Sequence, residues 1–215
     1  MKNILTFILL SISLVSCGQE KESSAEKIKI DPSIQKEVES KISESQFGNM
    51  SKDLLIYENL LISEYFENDS LTLSTKNQDK KLVFKSFFYT HNDTLTIDGA
   101  YGMFGGFGFS IKIKDNQATV YHMLASDEFP TYSMNENDSL KFRIEVPCLN
   151  TTLTLSKMPE LKDGEIIYGM VEFESGSYYQ SGPMVNNEEI EPRKKVRMNM
   201  KVYFKSMYLD IEKMK

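Results

Sequence analysis

Chemistry in this chain has few places to start: His91, His122, Cys17, Cys148 and a glycine-rich aromatic stretch from Gly99 to Gly108. That stretch lacks the Lys-Ser/Thr ending of a phosphate loop, and no helical pattern follows it. Two readings stay open. The segment is a bulged corner or tight turn, where glycine permits unusual φ and close backbone approach. Or it is a mobile aromatic loop, with Met103 and Phe104 at its tip, over a cavity mouth. No His, Cys, Asp or Glu spacing matches a metal motif, so the residues assign no metal, no cofactor and no catalytic group. A Cys148/His122 nucleophile pair would need the two within hydrogen-bond reach, and no motif brings them together.

The elements that would position these groups are strands. Phe107, Phe109, Ile111 and Ile113 alternate with Gly108, Ser110, Lys112 and Lys114, the period of a strand with one buried face. If Asp115-Asn116 is a two-residue turn, Lys114 faces Gln117, Ile113 faces Ala118, Phe109 faces His122 and Phe107 faces Leu124. His122 then points to the apolar face. An inward histidine is most often a hydrogen-bonded core residue, but buried titratable groups also mark sites. A binding cavity here would be lined by Tyr101, Phe107, Phe109 and His122.

The same period runs through Leu140, Phe142, Ile144 and Val146, and through Val196, Met198, Met200, Val202 and Phe204. Weaker candidates are Leu71–Thr75, Leu82–Thr90, Thr94–Tyr101, Gln117–Leu124, Thr152–Ser156 and Ile166–Glu174. Short turns join several of them. The pattern predicts an all-β domain over 67–215, an antiparallel meander of about nine strands, barrel-like or folded as a sandwich. One or two helices precede it within 31–66. Asp31-Pro32 is a cap followed by a first-turn proline, with Ile34, Val38 and Ile42 on one stripe. Over Asp53–Phe66, Leu54, Tyr57, Leu61 and Tyr65 suit a helix, although Leu60-Leu61-Ile62 would also suit a buried strand.

Two further features invite partners. Ser175–Lys194 is a long excursion carrying Tyr178 and Tyr179, the preferred residues for contacting one. The last strand sets Lys195, Arg197, Lys201 and Lys205 on its outer face. These would dock anionic lipid or glycan, or pair with Glu172 and Glu174 on a neighbouring strand, which is the ordinary case. The formal net charge of −6 argues against nucleic acid.

The N-terminus carries an address. Lys2 precedes an apolar run from Ile4 to Val15, too short for a bilayer span of about 20 residues. With Leu14-Val15-Ser16-Cys17 following the lipobox pattern, the chain resembles the precursors of bacterial lipoproteins. The resemblance implies a signal peptide over 1–16, acyl chains on Cys17 and a flexible tether over 17–30. It also implies a cell-envelope location on the outer membrane, facing the periplasm or the surface. Two or three acyl chains on one residue anchor stably where a single chain does not. Cys148 is then the only thiol, most simply a small buried hydrophobe. The expected function is binding or assembly at the membrane with an envelope protein or glycan. The alternative is an envelope hydrolase with a cleft around His122 or Cys148.

Asn68-Asp69-Ser70-Leu71, Asn92-Asp93-Thr94-Leu95 and Asn137-Asp138-Ser139-Leu140 repeat one pattern, a turn that opens a strand. The Asp-Ser/Thr-aliphatic triplet also resembles the O-glycosylation signal used on exported proteins by one large group of Gram-negative bacteria. On that resemblance Ser70, Thr94 and Ser139 are glycan acceptors, exposed at strand starts. Intact-mass measurement of protein from its native host is expected to exceed the polypeptide mass by sugar increments. An unmodified mass rejects the glycans and leaves the turns standing.

Overall fold

The computed structural model describes residues 26–43, 60–76, 85–102, 105–186 and 188–214. Leading into the domain are β1 (Glu26–Lys27), β2 (Lys29–Ile30) and α1 (Ile34–Ser43), then β3 (Leu60–Glu67) and β4 (Ser70–Ser74). Next come β5 (Lys85–His91), β6 (Thr94–Tyr101), β7 (Gly106–Lys114), β8 (Gln117–Ala125) and β9 (Tyr132–Ser133). The chain ends with β10 (Arg143–Leu155), β11 (Ile166–Ser175), β12 (Tyr178–Gln180), β13 (Met184–Val185), β14 (Glu188–Glu189) and β15 (Lys194–Tyr208). All but β13 and β14 belong to one 13-stranded sheet.

The sheet closes on itself. Neighbours run β8–β7–β6–β5–β15–β11–β10, and Arg143–Pro147 of β10 returns to pair Ala125–Tyr121 of β8. The expected plain antiparallel meander is corrected to a mixed sheet. β5 runs parallel to β15 at Phe87↔Met207 and Phe88↔Tyr208, and β2 runs parallel to β10 at Lys29↔Thr154 and Ile30↔Leu155.

Below Pro147, β10 no longer pairs β8, and residues 26–30 occupy the seam. β1 pairs β8 at Glu26↔Ala118, β2 pairs β10, and Ile28 between them packs against the main core. The expected tether over 17–30 is therefore shorter: its last residues are part of the wall.

Local chemistry explains the joints. Asn68-Asp69, Asn92-Asp93 and Asp115-Asn116 all have positive φ at both positions, the geometry that suits the right-handed twist of two-residue hairpins. At α1, Asp31 Oδ1 accepts from the Ser33 backbone N–H at 3.0 Å and from its hydroxyl at 2.6 Å. Ile34, Val38 and Ile42 then lie on the outside of the sheet against Leu60 and Tyr203.

Leu60–Glu67 is a strand and not the second helix; residues 53–59 lie outside the described residues. It lines β15 from Val196↔Glu67 to Tyr203↔Leu60. Leu61 enters the barrel while Leu60 is covered by α1, so both faces are buried and the run of apolar residues loses its alternation. Phe142, expected inside with Ile144, is 51% exposed, because the ladder begins at Arg143.

The core sits inside the ring, with Phe109, Ile111, Val120, Val171, Val202 and Phe204 all buried. Phe107 is half-buried at its end. The register expected for β7 and β8 is the one observed, from Lys114↔Gln117 through Phe109↔His122 to Phe107↔Leu124. Replacing Ile111 with Ala is expected to cost about 2–5 kcal/mol, through lost transfer energy and the residual cavity. Lys112 shares an exposed ion pair with Glu145 at 2.6 Å, and Lys112→Ala should cost under about 1 kcal/mol. Urea unfolding of both variants checks this, and equal losses would refute one-sided burial.

Candidate functional site

The register of β6, β7 and β8 gathers four of the six expected binding residues at one end of the barrel interior, and β12 brings a fifth, Tyr178, to them. Tyr101 pairs with Phe107, their rings 5.3 Å apart, and Phe107 lies 6.2 Å from the His122 ring. Tyr178 stands 5.8 Å beyond His122, and Phe109 packs on Phe204 at 5.7 Å. Tyr179 faces the other way and is half-buried beside Ser133 and Lys195. Tyr178 is 1% exposed, because β12 adds to β15 and turns that ring into the core beside Val196. The Ser175–Lys194 excursion therefore buries the tyrosine expected to meet a partner.

The gathered residues enclose no open cavity. The void between Leu61, Gly99, Phe109 and Val202 is about 10 Å³, at the lower limit for one water. His122 is fully buried, and its Nδ1 lies 3.0 Å from the Gly108 carbonyl oxygen. That contact requires an Nδ1–H donor, which leaves Nε2 as an acceptor with no hydrogen-bond partner among the described residues. Desolvation pushes the ring's pKa down to about 4, against the bond to Gly108, which raises it.

Cys148 is equally buried. It sits one rung from His122, on the strand where Val146 pairs with it. Its thiol approaches the Val146 carbonyl at 3.7 Å, and burial pushes it well above the usual thiol range. The two groups are neighbours, but neither is charged nor reachable, so they are poor partners for nucleophilic attack.

A recess does exist on the outside of the same strands. Outward positions align across the ladders as Ala100–Gly108–Met123–Glu145 and, one rung down, Phe87–Asp98–Ser110–Tyr121. Phe87 and Tyr89 form one wall, their rings 6.0 Å apart and tilted by 29°. Met123, Arg143 and Glu145 form the other, and Ala100, Gly108 and Asp98 lie between. The recess holds about 480 Å³, within the range of small-molecule sites. Gly108 keeps its floor low, since a Cβ there would meet the Gly99 carbonyl oxygen at 2.1 Å. Asp98 is half-buried, and burial raises its pKa against the opposing effects of Ser110 and Tyr89. Its Oδ2 accepts from the Tyr89 hydroxyl at 3.0 Å, and its Oδ1 is buried with no hydrogen-bond partner among the described residues.

This recess escapes sequence reading because its residues come from separate strands and meet only through the register. The signals present in the chain were Phe87-Phe88-Tyr89, which puts an aromatic on both faces, and an acid at an outward position between Ile97 and Gly99.

Cys17, Met103 and Phe104 lie outside the described residues. Gly102, Gly105 and Gly106, on either side of the latter two, all have positive φ. Ser70 and Ser139 are exposed and Thr94 is half-buried. Ser139 sits in a loop and not at a strand start, since β10 begins only at Arg143. Of the basic outer residues, Lys201 pairs with Glu172 at 3.1 Å, and the Arg197 guanidinium lies 3.7 Å from the Phe66 ring centre. Among the described residues no group of His, Cys, Asp and Glu has the geometry of a metal site. No helix among them is long and apolar enough to cross a membrane. Compared with family models, curated proteins and solved structures, the chain matches none.

His122 makes stability depend on pH in a defined window. Unfolded, the ring takes a proton near pH 6.5; folded, it resists until about pH 4. The unfolded state therefore binds more protons between those values, and stability falls as pH drops from about 6.5 to 4, by about 3 kcal/mol in all. The flanking Tyr178 and Cys148 are held neutral by burial and add no charge. In His122→Gln, which keeps a donor for Gly108, this component should vanish. Urea midpoints for both proteins at pH 7 and pH 4.5 measure it. Parallel losses in the two would place the pH dependence elsewhere.

Proposed function

We propose that the chain is a lipid-anchored cell-envelope protein that works by binding or assembly at its outer surface. The observation that carries this reading is the contrast between the filled interior and the open recess outside it. Among the described residues the void inside the barrel beside Phe109 and Val202 is about 10 Å³, whereas the recess beside Phe87 and Asp98 holds about 480 Å³. A packed barrel of this kind works as a scaffold that presents residues on its faces. The envelope-hydrolase alternative needs His122 or Cys148 in a cleft. The burial of both side chains weighs against it.

The partners on this reading are the membrane, through acyl chains on Cys17, and an envelope protein or glycan. The lipobox Leu14-Val15-Ser16-Cys17 after the apolar run Ile4–Val15 supports the anchor, and with it an outer-membrane location. The wall formed by residues 26–30 leaves only a short link between Cys17 and the domain. Fully extended, that link reaches about 30 Å, at 3.3–3.6 Å per residue. The domain would thus stay within one diameter of the bilayer surface.

Replacing Cys17 with Ser is the test. The wild-type protein should enter the detergent phase on phase separation, and the Ser variant should remain in the aqueous phase. A Ser variant that still partitions with detergent would reject the anchor.

A further inference from the structure

We infer that the recess floored by Ala100, Gly108 and Asp98 is a binding site for neutral saccharide. This deepens the binding reading above and rests on it. Phe87 and Tyr89 project from the solvent side of β5 as one wall, half-buried, their rings 6.0 Å apart and tilted by 29°. Alternate outward positions on a barrel are ordinarily polar, so two adjacent aromatics there present an unusual apolar platform. A sugar ring has one face of C–H groups that packs flat on such a platform and an edge of hydroxyls that does not.

On the floor, Ala100 and Gly108 supply little bulk, and Gly108 is barred from gaining any by the Gly99 carbonyl oxygen. The walls on β5 and β8 are separated by three strand spacings, about 14 Å between backbones. That leaves a slot for a flat ring.

The Asp98 carboxylate lies between the walls beside Ser110, and its buried Oδ1 makes no hydrogen bond of normal length among the described residues. Carboxylate χ2 is a broad torsion, so a small rotation offers that oxygen to an incoming hydroxyl. The Tyr89 hydroxyl, already donating to Oδ2, keeps lone pairs to accept another. Glu145 and Arg143 stand exposed on the far wall, one acceptor-rich and one donor-rich, as the hydroxyls of a polyol require.

Charge selects the class. Among the described side chains, Asp98, Glu145 and Asp127 line the recess with one guanidinium, that of Arg143. Lys112 stands at the margin, paired with Glu145 at 2.6 Å and over the Tyr121 ring at 4.5 Å, so it offsets the Glu145 charge and leaves these described groups acidic by one. Phosphate, sulfate and uronate groups are repelled there, and uncharged sugars are not.

The experiment uses the full lipid-bearing chain in detergent on an array of neutral and acidic oligosaccharides, followed by calorimetry with the strongest neutral binder. Phe87→Ala and Asp98→Asn should each weaken binding by about tenfold or more, the equivalent of one lost apolar platform or charged hydrogen bond. Leu73→Ala, on exposed β4 outside the recess, should leave it within about twofold. Asp98→Asn conserves shape, so it decides the matter even if Phe87→Ala unfolds. Three results overturn the inference: no neutral glycan above background, a preference for acidic glycans, or wild-type affinity in Asp98→Asn. The array works in detergent and ignores anchoring. Its failure therefore leaves the envelope reading to the Cys17→Ser partition, and failure of that partition leaves the array result standing.

Discussion

The return of β10 to β8 is the pairing on which the rest of the structure depends. A sheet with one apolar face must either be covered by another layer or curl until the face covers itself. Here Arg143–Pro147 against Ala125–Tyr121 completes the curl, with residues 26–30 sealing the stretch that β10 leaves bare. Once the ring is closed, each inward polar group must find its partner locally. Ser86 and Ser206 do so at 2.7 Å, where β5 and β15 meet in parallel. His122 does so on one side only. A closed and dry interior thus turns its histidine and thiol into packing groups and leaves recognition to the outside.

The parts legible in the sequence were those governed by a single strong period or a single turn. Ile113 to Phe107 against Ala118 to Leu124 followed from a two-residue turn at Asp115-Asn116, because both residues tolerate positive φ and parity then carries the register. The long strand with Val196, Met198 and Met200 inward was equally plain. Three features hid for physical reasons. Leu60–Glu67 is buried on both faces at its start, so it lacks the alternation that betrays a strand. Residues 26–30 are mostly charged and gain their place only from the edges they seal. The run from Leu140 keeps period two beyond the first rung of β10, and so draws Phe142 inward on paper. The outer recess was invisible for a further reason: Phe87, Asp98, Gly108 and Met123 share a face only after three ladders have been aligned.

The excursion expected to contact a partner and the turn between β10 and β11 are each built into the body by a single charged side chain. Arg193 donates to the carbonyls of Glu136 and Asp138 at 2.7 and 2.6 Å and to Glu189 at 2.7 Å, tying the segment after β12 to the one before β10. Glu165 accepts from the backbone of Glu160 at 2.9 Å and pairs with Lys157 at 2.6 Å, bracing the turn between β10 and β11. Burial raises the Glu165 pKa, but these bonds outweigh it and hold the carboxyl below its usual range. Loops braced in this way act as rims, which is why the sheet's outer face is the better surface on which to look for recognition.

The seam filled by residues 26–30 also sets an order of events. Synthesis delivers these residues first, yet their partners are Gln117, Ala118, Thr154 and Leu155, far along the chain. β15, near the other end, is needed by β3, β5, β11 and β12 alike. Local hairpins from β5 to β8 can form early, but contacts of such long sequence separation pay their loop-closure entropy before any return, and they form slowly. Until β15 arrives, the hairpins expose a continuous apolar face and bare edges, the features that draw chains into aggregates. The apolar face of the early hairpins is therefore covered only when the two extremities of the chain meet the middle.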